Sequence, residues 1–273
     1  FLYQSRENTI YIGTKNLTEQ QIMAHLYKQV IEEETDYKVR IISGLDTTAF
    51  VHQALMKGNI DFYLEYSSTA YLEIFKHDFN QQSNQEIINS LKKDYDSLGL
   101  SFHSLAGFEN SNAIISSNFS KDLMTISDLS GKNFSFAAPA YFFEREDGYN
   151  LLSKNYDFSK VEIIKADPII IYQGLLTGQI DVGLGFTTDA KLINQEIQVL
   201  VDSQSIFPSY EAFLVSTDNF DQDYPKVSKI LEELSGEIST EEISYLNDQV
   251  ENQKRDVEEL ISEFLDYQLE IKD

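Results

Sequence analysis

Residues 58–70 read GNIDFYLEYSSTA, and residues 178–190 read GQIDVGLGFTTDA. Gly58 and Gly178, Ile60 and Ile180, Asp61 and Asp181, Leu64 and Leu184, and Ala70 and Ala190 all match at an offset of 120. Tyr66 answers Phe186, and Ser67 and Ser68 answer Thr187 and Thr188. The register runs back through Gln53/Gln173 and Leu55/Leu175. Earlier still, KVRII at 38–42 echoes KVEII at 160–164 at an offset of 122, so one loop differs by two residues. This period is too long for a solenoid and occurs twice, which predicts two similar lobes.

Each copy carries the same order of signals. A β-branched run (37–42; 160–164) precedes an amphipathic helical stretch (48–57; 169–177). A glycine follows where a helix ends in a left-handed residue. Then come a short apolar run (60–64; 180–184), an aromatic and a hydroxyl-rich turn. Strand, crossover helix and parallel strand make a βαβ unit. Ligands of open α/β sheets lie beyond the carboxyl ends of the strands. Tyr66 and Phe186 fall at those ends, so two facing lobes put a ring on each wall of one cleft. The plainer alternative for each ring is packing in the core or under a lid.

A chain of 273 residues with 42% hydrophobic content buries a real core and excludes disorder. No apolar run of about 18 residues is present to span a membrane. Residues 1–10 show no basic start followed by an apolar core, so no leader is read there. Cysteine is absent, which removes thiol catalysis, disulfides and zinc–thiolate sites. With 45 acidic and 21 basic residues the net charge is −24, which argues against nucleic acid and anionic lipid as partners and favours the approach of a cation. Most of that charge also reads as a solvated surface.

Residues 8–13 form a first strand, and an apolar-periodic helix covers 22–34 with Thr18 as its N-cap. The turn between them, Thr14, Lys15 and Asn16, offers backbone N–H groups and a helix N-terminus to a carboxylate, with Lys15 adding charge. A solvated surface lysine is the alternative. A second such turn holds Asp46, Thr47 and Thr48, whose hydroxyls cap the helix or reach a ligand. A third carries Glu65 beside Tyr66, where a glutamate attracts a cation or simply faces water. A helix at 84–98 and an extended stretch at 100–115 lead to the crossing between lobes. The second lobe opens with a helical turn at 127–129, a strand at 133–137 and a helix at 142–155. Arg145, at the N-terminal edge of that helix, either clamps a carboxylate or pairs internally with Asp147 or Glu144. A strand at 212–215 crosses back, and helices near 225–234, 240–249 and 257–268 close the chain. Ser239 to Glu242 reads as a capping box. Lobe one is assigned to 1–107 with 212–273, lobe two to 108–211, with hinges near 106–112 and 208–214.

No phosphate loop, dinucleotide fingerprint, nucleophile elbow or zinc motif occurs. The four histidines are scattered, and no carboxylate dyad can be argued. With 16 Tyr and 18 Phe, two lobes and no catalytic set, the expectation is a binding module without cofactor or metal, not an enzyme.

Several stretches together resemble one family. TKNLTEQ at 14–20 resembles the SKNFTEQ start of osmoprotectant-type ABC transporter substrate-binding proteins. GNID with EYSST at 65–69 resembles their GEIDxxxEYTGT. FEREDGY at 143–149 is similar to FxRxDGY, FTTD at 186–189 to YSTD, and FPSYE at 207–211 to FPPYD. The likeness runs in order along almost the whole chain. It implies an α/β, two-lobed, periplasmic-binding-protein-like (type II) fold that closes on a quaternary amine such as glycine betaine, choline or carnitine. It also implies an ABC permease and ATPase as partners, and a place on the extracellular face, tethered by a lipid anchor or by fusion to the permease. By position, Tyr66 and Tyr210 match tyrosines of the family's cage. Two cage positions depart: Asn112 stands where the family's NTYA has tyrosine, and Phe186 loses a hydroxyl but keeps a ring. A thinned cage with a polar Asn suits a betaine carrying a further hydrogen-bonding group, as in the related ergothioneine-binding domains of importers. The ligand set implied is Tyr66, Phe186, Tyr210 and Asn112, with Glu65, Thr14, Lys15, Asn16, Asp46, Thr48 and Arg145. A ligand-sensing receptor ectodomain and a two-lobed transferase are the rival readings.

Overall fold

The computed structural model describes residues 8–117, 123–193 and 196–272, the last five of these by backbone alone. Residues 1–7, on which the leader reading rests, lie outside the described residues. The chain divides into two compact units, one of residues 1–77, 85–109 and 210–273 and the other of 78–84 and 110–209. The short piece 78–84 goes with the second unit, where Phe79 packs against its core.

The first unit holds strands β1 (Thr9–Gly13), β2 (Lys38–Ile42), β3 (Phe62–Tyr66) and β4 (Leu100–Glu109). The second holds β5 (Asn112–Ser117), β6 (Phe134–Ala138), β7 (Val161–Lys165), β8 (Val182–Phe186) and β9 (Ile197–Val199), and β10 (Glu211–Thr217) returns to the first. The sheet orders are β2-β1-β3-β10-β4 and β7-β6-β8-β5-β9. In each, three parallel strands are followed by an antiparallel neighbour, β10 on β3 and β5 on β8.

The registers show that the repeat is real. Ile12 lies beside Phe62 and Ile41, and Phe136 lies beside Val182 and Ile163. Phe62 to Val182 is the 120 offset of the sequence, and Ile41 to Ile163 is the 122 offset. The repeated aspartates do the same structural work: Asp61 Oδ2 accepts from Tyr11 N at 2.8 Å, and Asp181 Oδ2 accepts from Ser135 N at 2.8 Å. Gly58 and Gly178 follow the crossover helices Thr48–Met56 and Pro168–Thr177 at φ 63° and 71°.

Two expected helix starts differ. The first helix spans Thr18–Glu34, with Leu17 in the cap position and no side-chain cap, so Thr18 is helical and not the N-cap. The stretch 142–155 is broken into a 3-10 turn, Ala140–Phe143, and a helix, Tyr149–Asn155. Gly148 sits at the break, where a Cβ would lie 2.0 Å from the Phe142 carbonyl oxygen. Arg145 therefore occupies a turn and no helix N-terminus.

Helices cover both faces of the first sheet. Ile10, Ile12, Phe62, Leu64 and Leu214 pack with Ile22, Leu26, Ile230 and Leu246 on one side. On the other, Tyr95 and Phe102 pack on the Phe213 ring at 5.8 and 4.3 Å. In the second unit Phe136, Val182 and Leu184 centre the larger core.

Candidate functional site

In the first unit β1 and β3 end beside two strand-to-helix turns, and their polar side chains meet there. Lys15 follows β1 and is buried, 6% exposed. Its ammonium donates to Glu65 Oε1 at 2.5 Å and to Thr48 Oγ1 at 3.4 Å, and lies 5.0 Å from the centre of the Tyr66 ring. Glu65 is fully buried. Its Oε1 also accepts from Tyr66 N at 2.9 Å, while its buried Oε2 has no hydrogen-bond partner among the described residues. Burial pushes its carboxyl above the ordinary value, and the Lys15 ammonium and the Tyr66 N–H oppose that rise. Neither residue is the solvated surface group that the sequence left open.

Tyr66 ends β3 and is 4% exposed. Its hydroxyl donates to Glu19 Oε1, and Asn247 Nδ2 donates to Glu19 Oε2 at 3.2 Å. Burial and the Glu19 carboxylate hold the phenol well above its usual range. Tyr210 precedes β10, in which Ala212 pairs with Tyr66, and it packs in the same core. The two tyrosines and Lys15 thus share one end of the sheet.

The remaining first-unit candidates serve the turns themselves. Thr14 is buried, and its hydroxyl accepts from Gln21 Nε2 at 2.5 Å. The turn's expected free N–H groups are partly taken: Thr14 N binds Ile42 O at 3.1 Å, and Lys15 N binds Gln20 Oε1 at 2.9 Å. Asn16 Nδ2 donates to Asp46 Oδ1, both residues exposed. Thr47 is the cap of its helix, accepting from Phe50 N at 3.3 Å, which leaves the Thr48 hydroxyl to Lys15.

In the second unit Asn112 and Phe186 are cross-strand partners of β5 and β8, each half-buried. Asp189 fixes the Phe186 backbone, accepting its N–H at 2.9 Å, and also accepts from the Tyr172 hydroxyl at 2.6 Å. Arg145 makes the internal pair: Nε and Nη2 donate to the two oxygens of buried Asp147 at 2.8 and 2.9 Å. Nε and one Nη are thus given to the protein, in the internal pair that the sequence left open beside an external clamp.

Glu19, Gln20, Gln21, Asp189 and Asn247 were not singled out from the sequence. The signal for the first three was the TEQQ run directly after the Lys15 turn, three polar side chains just where an apolar helix begins. The first-unit cluster joins a buried cation, two ring faces and hydrogen-bonded hydroxyls. Those are the means of holding a small ligand that carries both charges.

Residues 8–267 match the family described as the substrate-binding domain of an ABC-type glycine betaine transport system. The chain is 31% identical over 95% of its length to the ergothioneine transport permease/ergothioneine binding protein EgtU of Helicobacter pylori, and spans 48% of that protein. It is 29% identical over 96% of its length to the carnitine transport binding protein OpuCC of Listeria monocytogenes, covering 87% of it. A solved glycine betaine/carnitine/choline ABC transporter structure superposes with a TM-score of 0.85 at 24% identity, covering 94% of this chain and 98% of that one. These neighbours carry the two-lobed α/β fold of periplasmic binding proteins. Among the described residues no helix is long and apolar enough to cross a membrane.

Proposed function

The chain belongs to the family of substrate-binding domains of ABC-type glycine betaine transport systems, and from that premise we propose that it captures a trimethylammonium betaine, ergothioneine by preference, for an importer. It is a binder and not an enzyme, and its partners are a permease and an ATPase. In this reading it works on the extracellular face, tethered by a lipid anchor or by fusion to the permease.

The ligand's quaternary nitrogen has no N–H to donate, so ring faces recognise it. In this reading Tyr66, Tyr210 and Phe186 supply them. Each desolvated contact is worth about 1–2 kcal/mol. Three such rings give roughly 3–6 kcal/mol, whereas micromolar binding needs about 8 kcal/mol. A carboxylate contact supplies part of the difference. An ammonium has three donors. Glu65 and Thr48 take two from Lys15, and the third is assigned to the ligand carboxylate. The observation that carries ergothioneine is Asn112 beside Phe186, a side-chain amide next to a ring, suited to an imidazole-type group. Glycine betaine or carnitine is the second reading, favoured by the likeness to OpuCC over 96% of the chain.

Calorimetric titration with ergothioneine, glycine betaine, carnitine and choline tests both. Tight binding of ergothioneine alone supports the first reading, and Asn112→Ala then weakens it. Binding of glycine betaine or carnitine instead returns the chain to osmoprotection. Free choline, which lacks a carboxylate, is expected to bind more weakly than any betaine that binds. A tight choline complex would overturn the Lys15 assignment.

A further inference from the structure

A groove opens in the first unit, away from the Lys15 cluster. Helices Thr18–Glu34, Pro225–Glu233 and Val257–Lys272 frame it, and its volume is about 360 Å³. Its floor is apolar, built by Leu26, Val30, Ile230, Leu234, Phe264 and Leu265. Its rim is Glu33, Glu34, Glu233 and Glu237, all exposed. Among the described residues that line it there is no hydroxyl, amide or cation. Lys229 balances one rim charge, meeting Glu233 at 3.0 Å, and the rim stays net negative. Glu33 follows Glu19 by 14 residues (33 − 19) on the same helix. At about 1.5 Å per residue that is about 21 Å along the axis, so the groove is separate from the ring and ammonium at the ends of β1 and β3.

The shape sets the size of an occupant and the rim sets its charge. Small-molecule sites run from about 300 to 1,000 Å³ and are mostly apolar with a few polar groups that fix orientation. This groove has that make-up at the small end of the range. Filling it removes apolar surface from water, which supplies the binding energy. The rim carboxylates stay in water, so they add a modest attraction and a sign. Surface acid in a chain of net charge −24 mostly keeps it solvated, but such acid has mixed polar neighbours, and here every polar neighbour is acid. A second copy of the chain fits badly, because a two-fold contact through this groove sets its glutamates against their own copies. A fatty acid or an anionic lipid meets the same repulsion.

We propose that this groove is a ligand site of its own, for a small organic cation with an apolar body, of the alkylammonium class. The body lies on the floor between the three helices, and the ammonium stands at the mouth among the glutamates.

The test is calorimetric titration of the purified chain with hexylammonium, beside hexanol and hexanoate. Wild type is expected to take up a single equivalent of hexylammonium, to bind hexanol about fivefold more weakly, and to ignore hexanoate. Glu34→Gln combined with Glu237→Gln, both at exposed positions, is expected to bring hexylammonium down to the level of hexanol. Leu234→Gln, which puts an amide on the floor, is expected to weaken both by about tenfold. Hexanol or hexanoate bound as tightly as hexylammonium by wild type overturns the proposal. So does hexylammonium binding that neither variant changes, the absence of any binding, or a wild-type dimer that Leu234→Gln dissociates, which would make the groove a contact between copies. No betaine enters the experiment, so its result is independent of the betaine titration.

Discussion

Tyr66, a ligand residue in the proposed reading, is held in place by its neighbours in the fold. Its hydroxyl is held by Glu19, and Glu19 by Asn247 of the helix Thr240–Glu251. A hydrogen bond to a carboxylate fixes the ring and enriches its face, and charge-assisted bonds are about twice as strong as neutral ones. Glu19→Gln is therefore expected to weaken betaine binding by about 1 kcal/mol, or roughly fivefold in Kd. In a Tyr66→Phe background the same change should do almost nothing, because Glu19 acts through the hydroxyl. Equal losses in both backgrounds would sink that role. Lys15 makes a different case. Removing one member of a buried ion pair strands the other and costs about 3–5 kcal/mol. Urea unfolding of Lys15→Met should show that loss, and adding Glu65→Gln should restore much of it. A single variant as stable as wild type would mean that Glu65 is not ionised in the fold. The sequence pointed to Lys15, Glu65 and Tyr66 because a strand end before a turn is where such folds bind. It did not point to Glu19. An acid in the first turn of a helix has an ordinary reason to be there, the helix dipole, and only burial at 4% exposure sets it apart.

At the scale of elements the repeat was legible because sheet register preserves spacing: both offsets read from the sequence recur as strand partners. What the repeat concealed is where the copies part. Glu65 stands at the position of Gly185, and a Cβ on Gly185 would lie 2.7 Å from the Tyr172 hydroxyl. The buried Lys15–Glu65 pair thus belongs to one unit alone, and a duplicated motif does not mean a duplicated site. The break at Gly148 escaped the sequence for a related reason. Residues 142–155 have helical composition, and the break shows only in the fold, where the backbone at Gly148 turns back onto the Phe142 carbonyl. The capping box at Ser239 was legible because it is local, with Glu242 N donating to Ser239 Oγ at 3.2 Å and Glu242 Oε2 accepting from Ser239 N at 2.8 Å. Glycines show the same divide. Gly58 and Gly107 both have positive φ, 63° and 112°, but a Cβ on Gly58 meets open space while one on Gly107 lies 2.7 Å from Ile238 O and 2.8 Å from Gly236. Gly58→Ala should cost about 1 kcal/mol of backbone strain. Gly107→Ala adds a clash with backbone that cannot swing aside, and should cost about 3 kcal/mol or more. Matching urea midpoints for the two would refute the close approach of β4 to the 236–238 turn.

For the whole molecule the decisive quantity is the charge of −24, which no single contact explains. At the candidate site Lys15 pairs with Glu65 and Glu19 adds one buried carboxylate beside them, so most of the excess of acid lies elsewhere and acts at long range. Such a field raises the encounter rate of a cation and does little for a zwitterion, whose charges it pulls in opposite directions. Salt screens it, the Debye length falling from about 30 Å at 0.01 M to 3 Å at 1 M. Choline association is therefore expected to slow by about tenfold between those salt concentrations, while glycine betaine association changes little. Dissociation of both should be nearly unaffected, since the contacts that hold a ligand are short-ranged and partly buried. Stopped-flow tyrosine fluorescence can follow this, the chain having 16 Tyr and no Trp. Parallel salt slopes for the two ligands would show that the acid is a solvated surface with no part in capture. Divergent slopes would mean that the field gathers cations without selecting among them. Discrimination between choline and a betaine would then rest on the single Lys15 donor, against the direction of the field.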